Sequence, residues 1–531
     1  MGRTPLYRML RRAARLARAA HANGLALDEA IDIARESRGI DLQRRRLLQA
    51  GAAAGVLAGC RSLPPIDAGS EPVAIVGAGI AGLTAAWRLR QQGVPVRLIE
   101  AQERVGGRML SLRGRFGDGQ VVELGGELID TGHARIRALA GELGIALDDL
   151  LDGETGSDAW FFDGAHRSEA QIVEAFAPLA AAIARDTAAL GDGALDHADA
   201  NPAFRALDAL SITQWLDRNG ASGWLRRLIE VAYTTEMGLE PEEQSALNLL
   251  TFIGSDAGGF HVFGESDERF HVRGGNDLIT GALGERLADA VETGNVLEAI
   301  RGDAGGYVLS LRRGGASREL RARQVILALP LTLLRQVRMD VALPALQRRA
   351  IDMLAYGTNA KLMIGFASRP WRSAGRNGAS MSDLRYQTTW ETSRAQAGPS
   401  GVLTNFTGGR HGVELGQGTP EEQARQAVGQ LEQVFPGVAA ARDGATQARM
   451  HWPSHPWVRG SYLCFRPGDW SGLRGALAAP AGGLHFAGEH CAADTQGFME
   501  GGCESGEIAA RAVMTQRGIA THPRPALRAA A

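Results

Sequence analysis

The chain has 531 residues, 45% apolar and 22% charged, which is the size and composition of an enzyme with two or more domains around a large core. Its 57 basic and 59 acidic residues leave a formal net charge of -2, so no electrostatic case exists for a nucleic-acid partner. No run of about eighteen apolar residues occurs to span a membrane, and four cysteines in a chain this long make no disulfide framework.

Residues 1–70 are set aside from the fold. Gln43-Arg44-Arg45-Arg46-Leu47-Leu48-Gln49 leads into the small-residue apolar segment A-G-A-A-A-G-V-L-A-G-C, which is basic on its N-terminal side and too short to span. This resembles a twin-arginine export signal, and Leu57-Ala58-Gly59-Cys60 resembles a bacterial lipobox in which Cys60 would carry lipid. The resemblance implies the twin-arginine export machinery as a partner and a periplasmic or cell-envelope location. Membrane attachment would then come only through a lipid anchor. The plain alternative is a short apolar helix that ends at an ordinary cysteine. The Arg/Ala-rich piece from Tyr7 to Ala20 fits an amphipathic helix or an over-long gene start equally well.

From Val73 to Glu100 the order is a short β-branched run, a glycine turn, an Ala/Leu/Arg-rich helix, a Gly stop and a second apolar run, the parts of a βαβ unit. In its G-x-G-x-x-G, Gly77 permits the tight turn, Gly79 lets the backbone approach a pyrophosphate, and Gly82 lets helix and sheet pack closely. The diphosphate then sits on the helix N-terminus. Glu100 ends the second strand, where a carboxylate accepts hydrogen bonds from an adenosine ribose and disfavours a 2′-phosphate. A glycine turn in an ordinary α/β protein would leave Glu100 unexplained.

The following A-Q-E-R-V-G-G-R-M, with Arg104 ahead of the Gly106-Gly107-Arg108 turn, resembles the second signature of FAD-dependent amine oxidases. A solvated Arg-rich loop is the bland alternative. The resemblance implies FAD, with Ala101, Arg104, Gly107 and Arg108 among the residues that hold it. It also implies a Rossmann-like FAD-binding domain of the GR2 type, interleaved with a substrate-binding domain of mixed sheet and helices.

Later segments fit that plan. Val121 to Asp130 reads as a strand running into a glycine turn, and the family's chain returns beside the flavin there, which implicates Gly126 and Glu127. The stretch 131–250 reads as mostly helical. Residues 251–340 return to the FAD domain through Arg273-Gly274-Gly275-Asn276-Asp277, with Asn276 or Asp277 as helix cap, and through the strand whose Val296 would meet the adenine. A substrate-domain sheet is expected over 341–450, starting near Lys361. Residues 451–515 close the FAD domain with F-A-G-E-H…G-F-M-E-G-G, which resembles the C-terminal flavin motif of flavin monoamine oxidases and implicates Gly488, Glu489, Gly497, Phe498 and Met499. A disordered tail is expected over 516–531, while oligomeric state is not readable. Folded export suits a flavoprotein, whose cofactor is made in the cytoplasm.

Amine oxidation by a flavin moves a hydride equivalent from the carbon beside a neutral amine to N5, so the protein has to position that carbon and exclude water. By resemblance, Tyr462 and Phe498 flank the amine, Trp452 stands behind them, and Lys361 reaches flavin N5 through a water. Lys361 heads an apolar strand, where an ammonium needs a partner unless it snorkels to solvent. Ser461 stands where covalent monoamine oxidases have the flavin-linked cysteine, so FAD is expected to be non-covalent. The activity implied is oxidation of a primary amine or polyamine, with oxygen or a respiratory carrier as acceptor. An L-amino-acid oxidase is the alternative; carbon–carbon desaturation, or mere ligand binding, has no use for the Tyr462, Phe498 and Lys361 set. By resemblance to amino-acid oxidases, Leu128 occupies the place of a carboxylate-binding arginine, which leaves arginines elsewhere, Arg385 or Arg410 for instance, to supply one. Glu127 and Asp130 read as acids that attract a cationic substrate, or else as solvating a turn in which Asp130 caps the helix near His133.

Overall fold

The computed structural model describes residues 71–153, 156–252, 267–493 and 495–520. The export-like segment with Arg44, Arg45 and Cys60 lies outside them, as do Asp494 of the C-terminal motif and the tail from 521. No helix among the described residues is long and apolar enough to cross a membrane.

A five-stranded sheet carries the first domain, in the order Leu484–Phe486, Val325–Leu327, Val73–Val76, Val96–Ile99, Val291–Glu292. Every pairing in it is parallel. Val73–Val76 is buried along its whole length, as expected of a strand covered on both faces, and so it reads as an unbroken apolar run. The helices Ile80–Arg90 and Met499–Gln516 pack against one another beside this sheet. Close approach is possible because Gly506 faces the first helix: a Cβ there would stand 2.3 Å from the Ala81 carbonyl oxygen.

The second domain is organised on a seven-stranded sheet ordered Arg442–His451, Ala360–Phe366, Gly401–Thr407, Thr388–Glu391, Arg376–Ser382, Ser157–Phe162, Ala165–His166. Two expectations change here. The sheet does not begin near Lys361, because its last two strands come from the 131–250 stretch that reads as helical. The apolar run Ala159-Trp160-Phe161-Phe162 is too short for its period to separate strand from helix, and parallel pairing with Arg376–Ser382 settles it. The other change concerns Asn276, which is the N-cap position of the helix Asp277–Arg286 but makes no side-chain cap bond. Its amide instead donates to the carbonyls of Gly126 and Glu127 and accepts from Val272 N–H, pinning the glycine turn in place.

Candidate active site

The carboxyl ends of the parallel strands open on one long cavity of about 510 Å³. Gly77, Glu100, Ala328 and Gly488 lie just beyond the ends of four of those strands, and all four line it. This is where open α/β sheets bind ligands.

At one end the cavity is built from backbone. Gly77 has φ 102°, and a Cβ there would stand 2.5 Å from the Ala328 carbonyl oxygen. A Cβ on Gly82 would stand 1.9 Å from the Gly77 carbonyl oxygen, so this glycine serves packing and does not line the cavity. Gly79 has nothing within 4 Å on its Cβ side. It is also the N-cap of Ile80–Arg90, which has neither a side-chain cap nor an acid in its first turn. The first-turn N–H groups there suit an anion. Glu100 accepts from Ala78 N–H at 2.8 Å and Gln102 N–H at 2.9 Å; burial, outweighing those bonds, raises its pKa. Ala101, Gly107, Arg108 and Val296 line the cavity as expected, but Arg104 does not. Its guanidinium donates to the carbonyls of Val105 and Gly107 and so shapes the turn from behind.

At the other end the cavity is built from side chains. Tyr462, Phe498, Trp452, Lys361, Gly126, Glu127, Asp130, Glu489, Gly497 and Met499 all line it. The Tyr462 hydroxyl donates to the Glu236 carbonyl at 2.7 Å, fixing the ring. Trp452 donates to the Leu124 carbonyl at 3.1 Å and packs over Gly125, a wall and not a reacting group. Glu489 works as a hub, accepting from Arg108 at 3.0 Å, Leu463 N–H at 3.3 Å and Gly497 N–H at 2.8 Å.

Lys361 does not snorkel. It is 5% exposed, and its ammonium donates to the Glu127 carboxylate at 2.7 Å, the Gly125 carbonyl at 2.8 Å and the Glu123 carbonyl at 3.2 Å. Glu127 therefore neither solvates a turn nor offers an uncompensated charge to substrate. Burial opposes its ionised form, yet Lys361 and the donors Thr392 and Trp390 bring its pKa below the ordinary carboxylate value. Asp130 does not cap the helix Ala134–Leu143. Its carboxylate accepts from Glu268 N–H at 2.7 Å and lies 3.4 Å from His133 Nε2, and the His133 ring in turn sits 4.9 Å from that of Phe498. Arg385 and Arg410 are not carboxylate sites. They pair with Glu414 and Glu240 and do not line the cavity.

Among the lining residues that escaped sequence reasoning are Trp390 and Phe406 of the substrate sheet, Glu268 and His490. Strand alternation marks the first two as packing residues without telling which face meets the cavity. Trp390 and Phe406 have ring centroids 5.4 Å apart, and Phe406 stands opposite Lys361 in register. His490 is held neutral by burial. Leu331 N–H donates to the Tyr356 hydroxyl, which shares a hydrogen bond of 3.1 Å with His490 Nδ1, and burial brings the imidazole down to about 4.

The profile of the flavin-containing amine oxidoreductases matches residues 80–514. The chain belongs to that family. It is similar to an L-amino acid dehydrogenase from Synechocystis, 29% identical over 83% of this chain and 94% of that protein. It is also similar to a putrescine oxidase from Kocuria rosea, 26% identical over 86% and 97%. Cyclohexylamine oxidase from Brevibacterium oxydans has the same fold, with a TM-score of 0.73 and 24% identity over 84% of this chain and 99% of that one. The enzyme's cofactor is FAD, and the uncapped helix, the open side of Gly79 and the ribose acid fit it. Non-covalent attachment fits too: no described cysteine lines the cavity, and Cys464 is buried with its thiol pushed up by burial.

Proposed function

We propose that this amine oxidase oxidises a primary amine or polyamine, with oxygen as acceptor, giving an imine that hydrolyses to an aldehyde and ammonia. Bound FAD supplies the acceptor for the hydride equivalent. The chain's part is to hold the substrate carbon between the walls made by Tyr462 and Phe498, and to keep water out with Trp390, Phe406 and Trp452.

The observation that carries this reading is the charge of the amine end. Asp130 and Glu268 line it and are 3% and 2% exposed. Among the described residues, the cations that line the cavity are Arg108, Arg312 and Lys361, each paired with a carboxylate, from Glu489, Glu298 and Glu127. A cationic substrate is favoured beside two buried acids, whereas a substrate carboxylate would lack a partner there. The likeness to an L-amino acid dehydrogenase favours a second reading, oxidation of an L-amino acid to a 2-oxo acid. A peroxide-release screen over amines, diamines and L-amino acids separates the two. Turnover of an L-amino acid without turnover of its decarboxylated amine would decide for the second.

We also propose export through the twin-arginine route with a lipid at Cys60. Unchanged fractionation of variants carrying Arg44→Lys with Arg45→Lys, and of Cys60→Ala, would overturn it.

A further inference from the structure

An ammonium has three N–H donors, and at Lys361 three acceptors take them: one carboxylate oxygen of Glu127 and the carbonyls of Gly125 and Glu123. The second carboxylate oxygen of Glu127 accepts from Trp390 Nε1 at 2.8 Å and from the Thr392 hydroxyl. The Lys361 ammonium also lies 5.3 Å from the Trp390 ring centroid. Lysine and glutamate are both nearly inaccessible, and both border the cavity at the end remote from the dinucleotide glycines. With a diphosphate held at Gly79 and a ribose at Glu100, the flavin of bound FAD would be held by the residues of that remote end.

A lone buried ammonium beside a flavin would stabilise the negative charge that reduction or anion addition brings. A saturated ion pair presents a dipole instead of a net charge, and its field falls off faster with distance. We propose that Glu127 is a positioning residue that cancels the charge of Lys361, so holding the flavin's two-electron potential and its affinity for anions below what the lysine alone would set. This rests on FAD as cofactor and is independent of which amine is the substrate.

The test uses purified holoenzyme, titrated anaerobically against a reference dye and separately with sulfite, both followed in the visible flavin band. Glu127→Gln should raise the two-electron midpoint by about 30 mV, a shift of about tenfold in that equilibrium, and tighten sulfite binding by a similar factor of about ten. Lys361→Met, titrated at a pH high enough to keep the buried Glu127 carboxylate ionised, should move both readouts the opposite way. Glu127→Asp and the double variant Glu127→Gln/Lys361→Met should each fall within about threefold of wild type. Opposite signs for the two single variants are what a merely structural role would not produce. Shifts of the same sign, or no shift in Glu127→Gln, would overturn the proposal. Should Glu127→Gln fail to retain FAD, Lys361→Met and the double variant decide: lowering by the first and restoration by the second support it, and any other pattern overturns it. A negative amine screen leaves these readouts intact.

Discussion

The two ends of the cavity solve different problems with different materials. The core of the dinucleotide end comes from one contiguous unit, Val73 to Glu100, and its working parts are backbone N–H groups, glycines and one carboxylate. The amine end draws on the turn at Gly125–Glu127, the strands carrying Lys361, Trp390 and Phe406, and the loops at Tyr462 and Phe498. Lys361 and Glu127, its central pair, are 234 residues apart in sequence. Where backbone packs on backbone, as at Gly77 and Gly82, an added atom collides, while side-chain recognition degrades by steps as single groups are trimmed.

The sharpest break between the ends should come from Gly82→Val. A side chain there collides with the Gly77 carbonyl and displaces backbone, at a cost of about 3 kcal/mol or more. The purified protein should be colourless, measured as visible flavin absorbance per protein. Retained flavin would mean that the turn relaxes around the added atoms.

Next in size is acid sensitivity centred on His490, near the flavin motif. Its folded pKa of about 4 lies below the ordinary histidine value of 6.5, so between these values the unfolded chain binds the extra proton. Stability from this group is present above pH 6.5 and is lost as pH falls toward 4. At pH 5 the loss amounts to about 2 kcal/mol. Denaturant midpoints taken at pH 7 and pH 5 should fall less in His490→Gln than in wild type; equal falls would place the acid sensitivity elsewhere.

At the amine end, Asp130→Asn should raise the apparent KM for a diamine about tenfold more than for benzylamine, or about 1.4 kcal/mol of selective binding. Equal effects on both substrates would remove Asp130 from substrate selection and leave it the work of holding Glu268 N–H and His133.

The smallest effect expected is that of Tyr462→Phe. The hydroxyl binds a backbone carbonyl, so its loss should cost about 1 kcal/mol of stability and leave the rate of anaerobic flavin reduction within about threefold of wild type. A much larger drop would give the hydroxyl a chemical part. Together with Asp130→Asn, this variant tells whether the amine end selects by charge or by ring geometry.

Local signals carried far along this chain because glycine turns, strand runs and helix starts report conformations that neighbouring residues impose on one another. The strands expected at Val296 and Lys361 are present within a few residues of those positions. The misassigned strand at Ser157–Phe162 has so few residues that only its partner settles its conformation. Arg104 shows the same limit at a single residue. Its place beside the glycine turn was legible, but the direction of its guanidinium was not.

By itself the sequence determined the dinucleotide fold, whose glycines and acid are spaced within a short window, while its resemblance to the amine oxidases supplied FAD and part of the residue set at the amine end. Only the tertiary structure decided which charges remain available. Glu127 reads as an acid open to substrate until the substrate sheet brings Lys361 to within 2.7 Å of it. Arg385 and Arg410 read as carboxylate partners until the same sheet turns them away from the cavity. The physical reason is that electrostatic interactions depend on distance and burial, and both are set by contacts between segments hundreds of residues apart.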